Sequence, residues 1–269
     1  MIDPAQISTL PLIADGAMED ALRRAHPEAA EPIEALNLNR PEAVQAAHGA
    51  YVAAGARLVR TNTAGAAASA LARFGLAERA EAANNSGAAC ARAAVGPEGL
   101  LMGTLGMLPL HLHPLERERA YGEQAVYLSD TGVTLMLLHH FTRVDEVLRA
   151  ILAVNRASDA PVLGQLVLDA AGRTADGVAL DEAARRLLDA GAGALGIECA
   201  PGLASLPPLV ETLLRFGVPV SVMPGFHTLT PVAFAAALAP LGTLGAAILG
   251  GCCGVTPAHI AALAKACAK

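Results

Sequence analysis

Eight short apolar runs recur along this sequence, separated by longer stretches in which apolar residues repeat with helical periodicity. The runs lie at residues 11–14, 57–60, 100–103, 133–138, 162–168, 194–197, 218–222 and 246–249. The clearest helical stretches lie at 41–54, 115–129, 144–155 and 180–190. Several of them end in a glycine just before the next run, which is a common way for helices to terminate. This alternation predicts parallel strands joined by helices.

The number of repeats and the chain length together favour one architecture. Eight strand–helix units in 269 residues fit a single-domain α/β protein, a (β/α)8 TIM barrel that occupies residues 1–269. An open, doubly wound sheet is the alternative, but no GxGxxG motif follows the first run. Neither a linker nor a change of composition marks a second domain.

Composition narrows the classes of function. The net charge of −6, without a basic patch, disfavours nucleic acid as a partner, and aromatic residues make up only 3% of the chain. The apolar runs are too short to cross a membrane, and the first residues lack the pattern of a signal peptide. Five cysteines, two of them adjacent, do not suggest a secreted disulfide framework. A cytoplasmic protein without membrane association is therefore expected.

In a barrel of this kind, ligands bind at the rim where the carboxyl ends of the strands meet. Polar, glycine or thiol-bearing residues follow most of the predicted strands, and three of the five cysteines are among them. These residues include Asp15, Gly16, Ala17, Asn62, Thr63, His139, His140, Glu198, Cys199, Cys252 and Cys253. Because all eight strand ends lie on one face of a barrel, the sequence predicts that the three cysteines converge.

The three cysteines predict a metal site. Cys252 and Cys253 are adjacent, so a disulfide between them fits poorly, but two thiolates can bind one soft metal ion. With Cys199, three thiolates would hold Zn²⁺ and leave a fourth position open, as in catalytic zinc sites. A thiol bound there would lose its proton and become a nucleophile at neutral pH. The alternative is that these are ordinary buried apolar residues, which we expect for Cys90 and Cys267.

Three separated segments match one set of motifs. Residues 15–18 read DGAM, residues 36–63 contain the LNL, PE and TNT elements of a second strand–helix unit, and 250–260 read GGCCG followed by TPxHI. Together they resemble the zinc-dependent homocysteine S-methyltransferase family. That family includes betaine–homocysteine and S-methylmethionine-dependent methyltransferases, and the homocysteine-binding module of cobalamin-dependent methionine synthase. Its first zinc cysteine corresponds to Cys199.

The resemblance implies a fold, a metal and a reaction. It implies a (β/α)8 barrel in which the three rim cysteines hold Zn²⁺ and a methyl group passes to a small thiol, homocysteine, in methionine biosynthesis. In relatives the Asp-Gly segment after strand one helps to hold the amino-acid acceptor. That role is therefore implied for Asp15 and for the backbone of Gly16 and Ala17.

The chain departs from the family after strand four. Where relatives carry Glu-Thr, with the Glu gripping the ammonium group of homocysteine, this sequence has His139 and His140. A histidine is a poor anchor for an ammonium group. Glu198, in place of the usual Asn, is a candidate for that contact or a sign of a different thiol acceptor. Strand alternation predicts that only one of the two histidines, taken here as His139, turns towards the barrel axis.

The residues after strand two bear on the methyl donor. Asn62 and Thr63 either bind substrate or satisfy the turn, and Ala64 stands where relatives have Phe. Without tryptophan, and with small Ala64, an aromatic cage for betaine is disfavoured. A sulfonium compound, or a corrinoid- or folate-carrying partner protein, is the donor that we expect. The sequence gives no indication of the oligomeric state.

The sequence is compatible with two functions of different classes. The first is a Zn²⁺-dependent methyltransferase that acts on a small thiol, and we favour it because an open three-thiolate site serves to exchange a fourth ligand. The second is a non-catalytic zinc-thiolate barrel that binds a metal or a methyl carrier. The second predicts zinc binding without turnover.

Overall fold

The eight predicted strands form one parallel sheet that curls into a barrel. In a computed structural model that describes residues 11–29, 32–199 and 202–268, the strands are β1 (Leu12–Ile13), β2 (Leu58–Arg60), β3 (Leu100–Gly106), β4 (Leu135–Phe141), β5 (Val162–Val167), β6 (Ala194–Glu198), β7 (Val220–Met223) and β8 (Ile248–Leu249). Each overlaps one of the apolar runs. The predicted limits at residues 1 and 269 lie outside the described residues.

Each strand pairs with its neighbours in chain order, and the barrel closes between β1 and β2. The sheet order is β1-β8-β7-β6-β5-β4-β3-β2. A parallel bridge between Ala14 and Leu58 joins β1 to β2. The N–H of Asp15 donates to the carbonyl of Leu58 over 3.2 Å, and the N–H of Arg57 donates to that of Ile13 over 2.8 Å. The (β/α)8 barrel that the sequence predicts is therefore confirmed.

Helices cover the outside of the barrel. In the described residues they are α1 (Met18–Ala25), α2 (Leu36–Asn39), α3 (Pro41–Ala53), α4 (Ala68–Leu71), α5 (Ala80–Val95), α6 (Pro114–Ser129), α7 (Val144–Ala157), α8 (Leu180–Asp189), α9 (Leu206–Leu214), α10 (Pro231–Leu244) and α11 (Pro257–Cys267). None of these helices is long and apolar enough to cross a membrane. The glycines predicted to end helices include Gly55 and Gly191, whose φ angles of 106° and 96° are positive.

Strand alternation divides the apolar residues into two cores. Leu12 and Ala14 belong to a cluster made only of strand and strand-end residues, which fills the barrel. Ile13, between them, belongs to the larger cluster that packs the strands against the helices. The apolar residues of the strands face these two cores, so the residues that follow the strands at the rim are left to bind ligands.

Candidate metal centre

Three cysteine thiols meet at the carboxyl-terminal rim. Cys199 follows β6, whereas Cys252 and Cys253 follow β8. Their sulfur atoms all lie within 4.8 Å of one another, and those of Cys252 and Cys253 are 3.8 Å apart. Two sulfurs that each lie about 2.3 Å from a tetrahedral Zn²⁺ are about 3.8 Å apart. The donor set and its spacing therefore fit a soft metal ion.

Backbone hydrogen bonds fix the loop that carries the adjacent cysteines. The N–H of Cys252 donates to the carbonyl of Pro224 over 2.9 Å, and that of Phe226 donates to the carbonyl of Cys253 over 2.8 Å. Gly254 has a φ of 78°, and a Cβ there would lie 2.6 Å from the carbonyl oxygen of Phe226. Only glycine fits this turn, which allows both thiols to face the same point.

Helix α11 begins directly after this loop. Thr256 is its N-cap and Pro257 its first residue, the residue types that favour these positions. The hydroxyl of Thr256 lies 2.8 Å from Nδ1 of His259. A capping box thus fixes the end of the cysteine loop.

The three thiols share protons because they are so close. Hydrogen bonds first from Cys199 and then from Cys252 lower the pKa of Cys253. Hydrogen bonds first to Cys199 and then to Cys253, followed by burial, raise the pKa of Cys252. A cation that binds all three sulfurs would displace the remaining protons.

Two histidines approach the cysteines from β4. Nδ1 of His140 lies 3.9 Å from the sulfur of Cys199, and ligand atoms of His139, His140 and Cys252 all lie within 4.8 Å of one another. Of the two, only the expected His139 lines the cavity, but His140 approaches the thiols as well, which strand alternation does not predict. His140 has a φ of 65°, and the pairing of β4 with β5 shifts register between Leu138 and Phe141. This irregularity breaks the strict alternation of the strand.

Glu198 contacts both histidines and is closed to solvent. Its side chain is fully buried. One carboxylate oxygen lies 2.7 Å from Nδ1 of His139, and the other accepts a hydrogen bond from the backbone N–H of His140. The carboxylate predicted to bind substrate is thus already held by two neighbours.

A cavity of about 100 Å³ opens beside the thiols. Six of the predicted site residues line it, and Glu34, Arg60 and Thr104 line it too, although the sequence did not single them out. The predicted residues are Ala17, Asn62, Thr63, His139, Cys252 and Cys253. The other four predicted site residues, all of which the structure describes, do not line it: Asp15, Gly16, Glu198 and Cys199. The cavity has room for a small molecule next to the sulfurs of Cys252 and Cys253.

A family model for homocysteine S-methyltransferase matches residues 12–267. The chain belongs to the homocysteine S-methyltransferase family. The resemblance inferred from the sequence motifs is therefore confirmed.

Individual relatives extend over most of the chain. The methionine synthase of Mycobacterium tuberculosis is 30% identical over 265 residues, which cover 88% of this chain and 22% of that protein. Betaine–homocysteine S-methyltransferase 1 of Mus musculus is 27% identical over 294 residues, covering 94% of this chain and 71% of that protein. The chain spans about a fifth of the length of the methionine synthases that it matches.

A solved structure shares the whole fold. The metallated form of the homocysteine methyltransferase MmuM from Escherichia coli is similar with a TM-score of 0.85. The two chains are 23% identical, and the similarity covers 98% of this chain and 99% of that one. At this identity the likeness concerns the barrel fold.

In this member of the homocysteine S-methyltransferase family, Asp15 is held by an arginine. Nε of Arg60 lies 2.8 Å from one carboxylate oxygen of Asp15, and the N–H of Arg60 donates to the other over 3.0 Å. Nη2 of Arg60 also donates to the carbonyl of Gly251 over 2.6 Å and to that of Gly16. Arg60 thus ties β2 to the ends of β1 and β8. Both oxygens of Asp15 are occupied in this arrangement.

Asn62 and Thr63 are also engaged within the protein. Nδ2 of Asn62 donates to Oδ1 of Asn37 over 2.9 Å, and Nδ2 of Asn37 donates back to the carbonyl of Asn62 over 2.7 Å. The hydroxyl of Thr63 donates to the carbonyl of Thr104 over 2.8 Å. These bonds satisfy the turn after β2, which is one of the two roles that the sequence leaves open.

Sequence reasoning missed Arg60 and Glu34 for different reasons. Arg60 is the last residue of β2, and a charged residue that ends a predicted buried strand was a usable signal. Glu34 lies in a 3₁₀ segment, Ile33–Ala35, between the first two strands. A single glutamate in a connecting segment carries no such signal, since most are solvent-exposed.

Proposed function

We propose that this protein transfers a methyl group to the thiol of homocysteine, with Zn²⁺ held by Cys199, Cys252 and Cys253. The observation that carries the proposal is the meeting of three thiols within 4.8 Å of one another, with two of them lining a cavity of about 100 Å³. Membership of the homocysteine S-methyltransferase family supports the choice of acceptor. The free thiols also favour a reducing compartment, so we place the protein in the cytoplasm.

Bound Zn²⁺ would act as a Lewis acid that keeps the acceptor sulfur in its nucleophilic thiolate form at neutral pH. In the reaction the acceptor sulfur forms a bond to the methyl carbon. The bond between that carbon and the donor atom breaks, and its electron pair leaves with the donor.

The protein's own groups hold the reactants and the thiols in place. The hydrogen bonds of Arg60 to Gly16 and Gly251 fix the backbone on either side of the cysteine loop. The imidazole of His139, which is about one-fifth exposed, lines the cavity and rests on the buried carboxylate of Glu198. Orientation by such preformed groups is a main source of rate acceleration in a bimolecular transfer.

The donor is a small sulfonium compound or a corrinoid- or folate-carrying partner protein. Small Ala64 lines the cavity where an aromatic side chain would build a cage for a trimethylammonium group. A sulfonium donor needs no such cage. This argument disfavours betaine as the methyl donor.

One observation supports the second candidate function, a non-catalytic zinc-thiolate barrel. Nδ1 of His140 lies 3.9 Å from the sulfur of Cys199, so a fourth protein ligand stands beside the three thiols. A site closed by four protein ligands is typical of structural zinc. The two functions differ in whether a thiol can displace that ligand.

Metal analysis and a methyl-transfer assay test the proposal together. We expect about one zinc per chain, and we expect Cys252→Ala to lose both zinc and methyl transfer. Cys90→Ala is the matched control, because Cys90 lies on α5, outside the cysteine cluster. Homocysteine should be paired with sulfonium, folate and corrinoid donors. Full-rate transfer by metal-free protein would contradict the proposal.

X-ray absorption at the zinc edge separates the two functions. For the methyltransferase, homocysteine should replace a nitrogen or oxygen ligand by a fourth sulfur. Unchanged coordination at saturating homocysteine, together with no turnover for any donor, would favour the non-catalytic barrel.

A further inference from the structure

A buried carboxylate faces the same cavity as the thiols. Glu34 is only 7% exposed, and it lines the cavity together with Cys252 and Cys253. It belongs to the 3₁₀ segment Ile33–Ala35, so a short rigid turn holds it there. Burial of a carboxylate is costly unless a cation or several hydrogen bonds compensate the charge.

Glu34 has little compensation within the protein. Its Oε1 accepts a hydrogen bond from the N–H of Gly65 over 2.6 Å. Among the described residues, no Lys, Arg or His nitrogen lies within ion-pair distance of it, whereas buried Glu146 lies 2.6 Å from Arg117. Burial raises the pKa of Glu34, and the hydrogen bonds from its own N–H and from that of Gly65 oppose this rise.

The surrounding backbone is built around this carboxylate. A Cβ at Gly65 would lie 2.8 Å from Oε1 and 3.0 Å from Oε2 of Glu34. A side chain at this position would push the carboxylate aside, so the glycine leaves room for its present position. The neighbouring Ala64 also lines the cavity and leaves the space beside Glu34 open.

The other two buried carboxylates near the thiols are already paired. Asp15 binds Arg60 over 2.8 Å, and Glu198 lies 2.7 Å from His139. Neither lines the cavity among the described residues. Glu34 is thus the buried acid that a ligand in this cavity can reach.

We propose that Glu34 is a specificity-determining residue whose carboxylate binds a positively charged group of a small substrate in the cavity. The charge belongs either to the ammonium group of an amino-acid thiol acceptor or to the sulfonium group of a methyl donor. The naming of these two ligands rests on the proposed function. A carboxylate with no ion-pair partner among the described residues gains one when the substrate binds, and this makes the contact selective for cations.

Calorimetric titration of the zinc-loaded protein tests the role of Glu34 without requiring turnover. The ligands are homocysteine, 4-mercaptobutyrate, which is homocysteine without its amino group, and dimethylsulfonioacetate, a sulfonium without an ammonium group. The variants are Glu34→Gln, which keeps the shape and the bond from Gly65, and Glu182→Gln. Glu182 on α8 is absent from the cavity lining, and its side chain is 50% exposed and paired with Arg185, so it serves as a control.

The three ligands distinguish the source of the charge. If the acceptor supplies it, Glu34→Gln weakens homocysteine at least about tenfold and leaves 4-mercaptobutyrate within about twofold. If the donor supplies it, the same variant weakens dimethylsulfonioacetate about tenfold and leaves both thiols unchanged. Glu182→Gln should change each affinity by less than about twofold, because exposed charges remote from the cavity contribute little.

A second measurement checks that the loss is not structural. Because Glu34→Gln removes a buried charge without a cation, its thermal midpoint should equal or exceed that of the wild type. The proposal is overturned if Glu34→Gln leaves all three affinities unchanged, or weakens 4-mercaptobutyrate as much as homocysteine. If the zinc-loaded wild type binds neither thiol, the proposed function fails, and the sulfonium titration still decides the role of Glu34.

Discussion

Two buried carboxylates flank the cysteines, Asp15 beside Arg60 and Glu198 beside His139. Their closest nitrogen–oxygen distances are similar, 2.8 Å and 2.7 Å, and both carboxylates are fully buried. The side chains that contact them differ. The Arg60 side chain is 6% exposed and donates to backbone carbonyls at the ends of two other strands. The His139 side chain is 19% exposed and borders the cavity.

The difference separates a fixed part of the rim from an adjustable one. Arginine stays charged at every physiological pH, and Nε and Nη2 of Arg60 donate to a carboxylate and two carbonyls. A histidine can be neutral or charged and can turn about two side-chain bonds. We infer that the Arg60 pair holds the cysteine loop in place, whereas the His139 pair can adjust to the ligand.

The largest effect is expected for Arg60→Met, because it leaves Asp15 charged, buried and unpaired. Removing one partner of a buried pair costs about 3–5 kcal/mol in the free energy of unfolding. Urea denaturation of the reduced, metal-free protein measures this loss. The variant should also bind zinc more weakly, since Gly251 loses its hydrogen bond from Arg60.

The double variant Asp15→Asn/Arg60→Met is the matched control. It removes both charges, so we expect it to recover a large part of the lost stability. This control remains informative even if the single variant does not fold. A loss below about 1 kcal/mol in the single variant would mean that the pair does not fix the rim.

A further histidine, His48 on α3, contrasts with His139. It is fully buried and does not line the cavity. Among the described residues neither of its ring nitrogens has a hydrogen-bond partner. Burial, and to a lesser extent the charge of Arg60, lowers the pKa of His48 from 6.5 to about 3. Between these values the unfolded chain binds the proton and the folded protein does not. Stability is therefore full above pH 6.5 and falls as the pH decreases.

The free energy of unfolding decreases by at most about 1.4 kcal/mol per pH unit, because the unfolded chain binds one proton more than the folded protein. From pH 6.5 to pH 5 we expect His48 to contribute a loss of about 2 kcal/mol. Urea denaturation at pH 7.5 and pH 5 should show that His48→Leu removes this loss. His111→Leu, which changes an exposed histidine, should keep it. Equal pH dependence in wild type and His48→Leu would refute the assignment.

The sequence predicted the barrel because its signals are local and repeated. Apolar runs recur eight times and several helices end in glycine, so each repeat supports the others. The same holds for the cysteine loop, where Gly254, Thr256 and Pro257 each have a conformation that few other residues adopt as well. The convergence of the three cysteines followed from the barrel itself.

The pairing of charges at the rim was not predictable in the same way. Contacts between Asp15 and Arg60, or between His139 and Glu198, join residues 45 and 59 positions apart, and no local pattern records which rim residue meets which. His140 shows the second reason. Its left-handed backbone results from the irregular pairing of β4 with β5, which strand alternation does not anticipate.

A smaller effect is expected at the adjustable pair. Glu198→Gln can still accept from the N–H of His140 and contact a neutral His139, so we expect a loss of about 1.5 kcal/mol. A double-mutant cycle with His139→Gln, read by thermal unfolding of the metal-free protein, gives the coupling energy. A coupling as large as that between Asp15 and Arg60 would show that both pairs are equally fixed, against our inference.

The smallest effect is expected at Asp20, which joins α1 to the cysteine loop. Its carboxylate accepts a hydrogen bond from the N–H of Gly254 over 2.7 Å, directly after Cys253. Asp20→Ala removes one charge-assisted hydrogen bond from a partly buried site, which costs about 1 kcal/mol in stability. If this bond helps to aim the thiol, zinc affinity measured against a chromophoric chelator should fall about tenfold. Glu19→Ala changes an exposed neighbouring acid and should leave the zinc affinity unchanged. An equal fall in zinc affinity in both variants would show that the negative charge of the rim, and not the hydrogen bond to Gly254, governs metal binding.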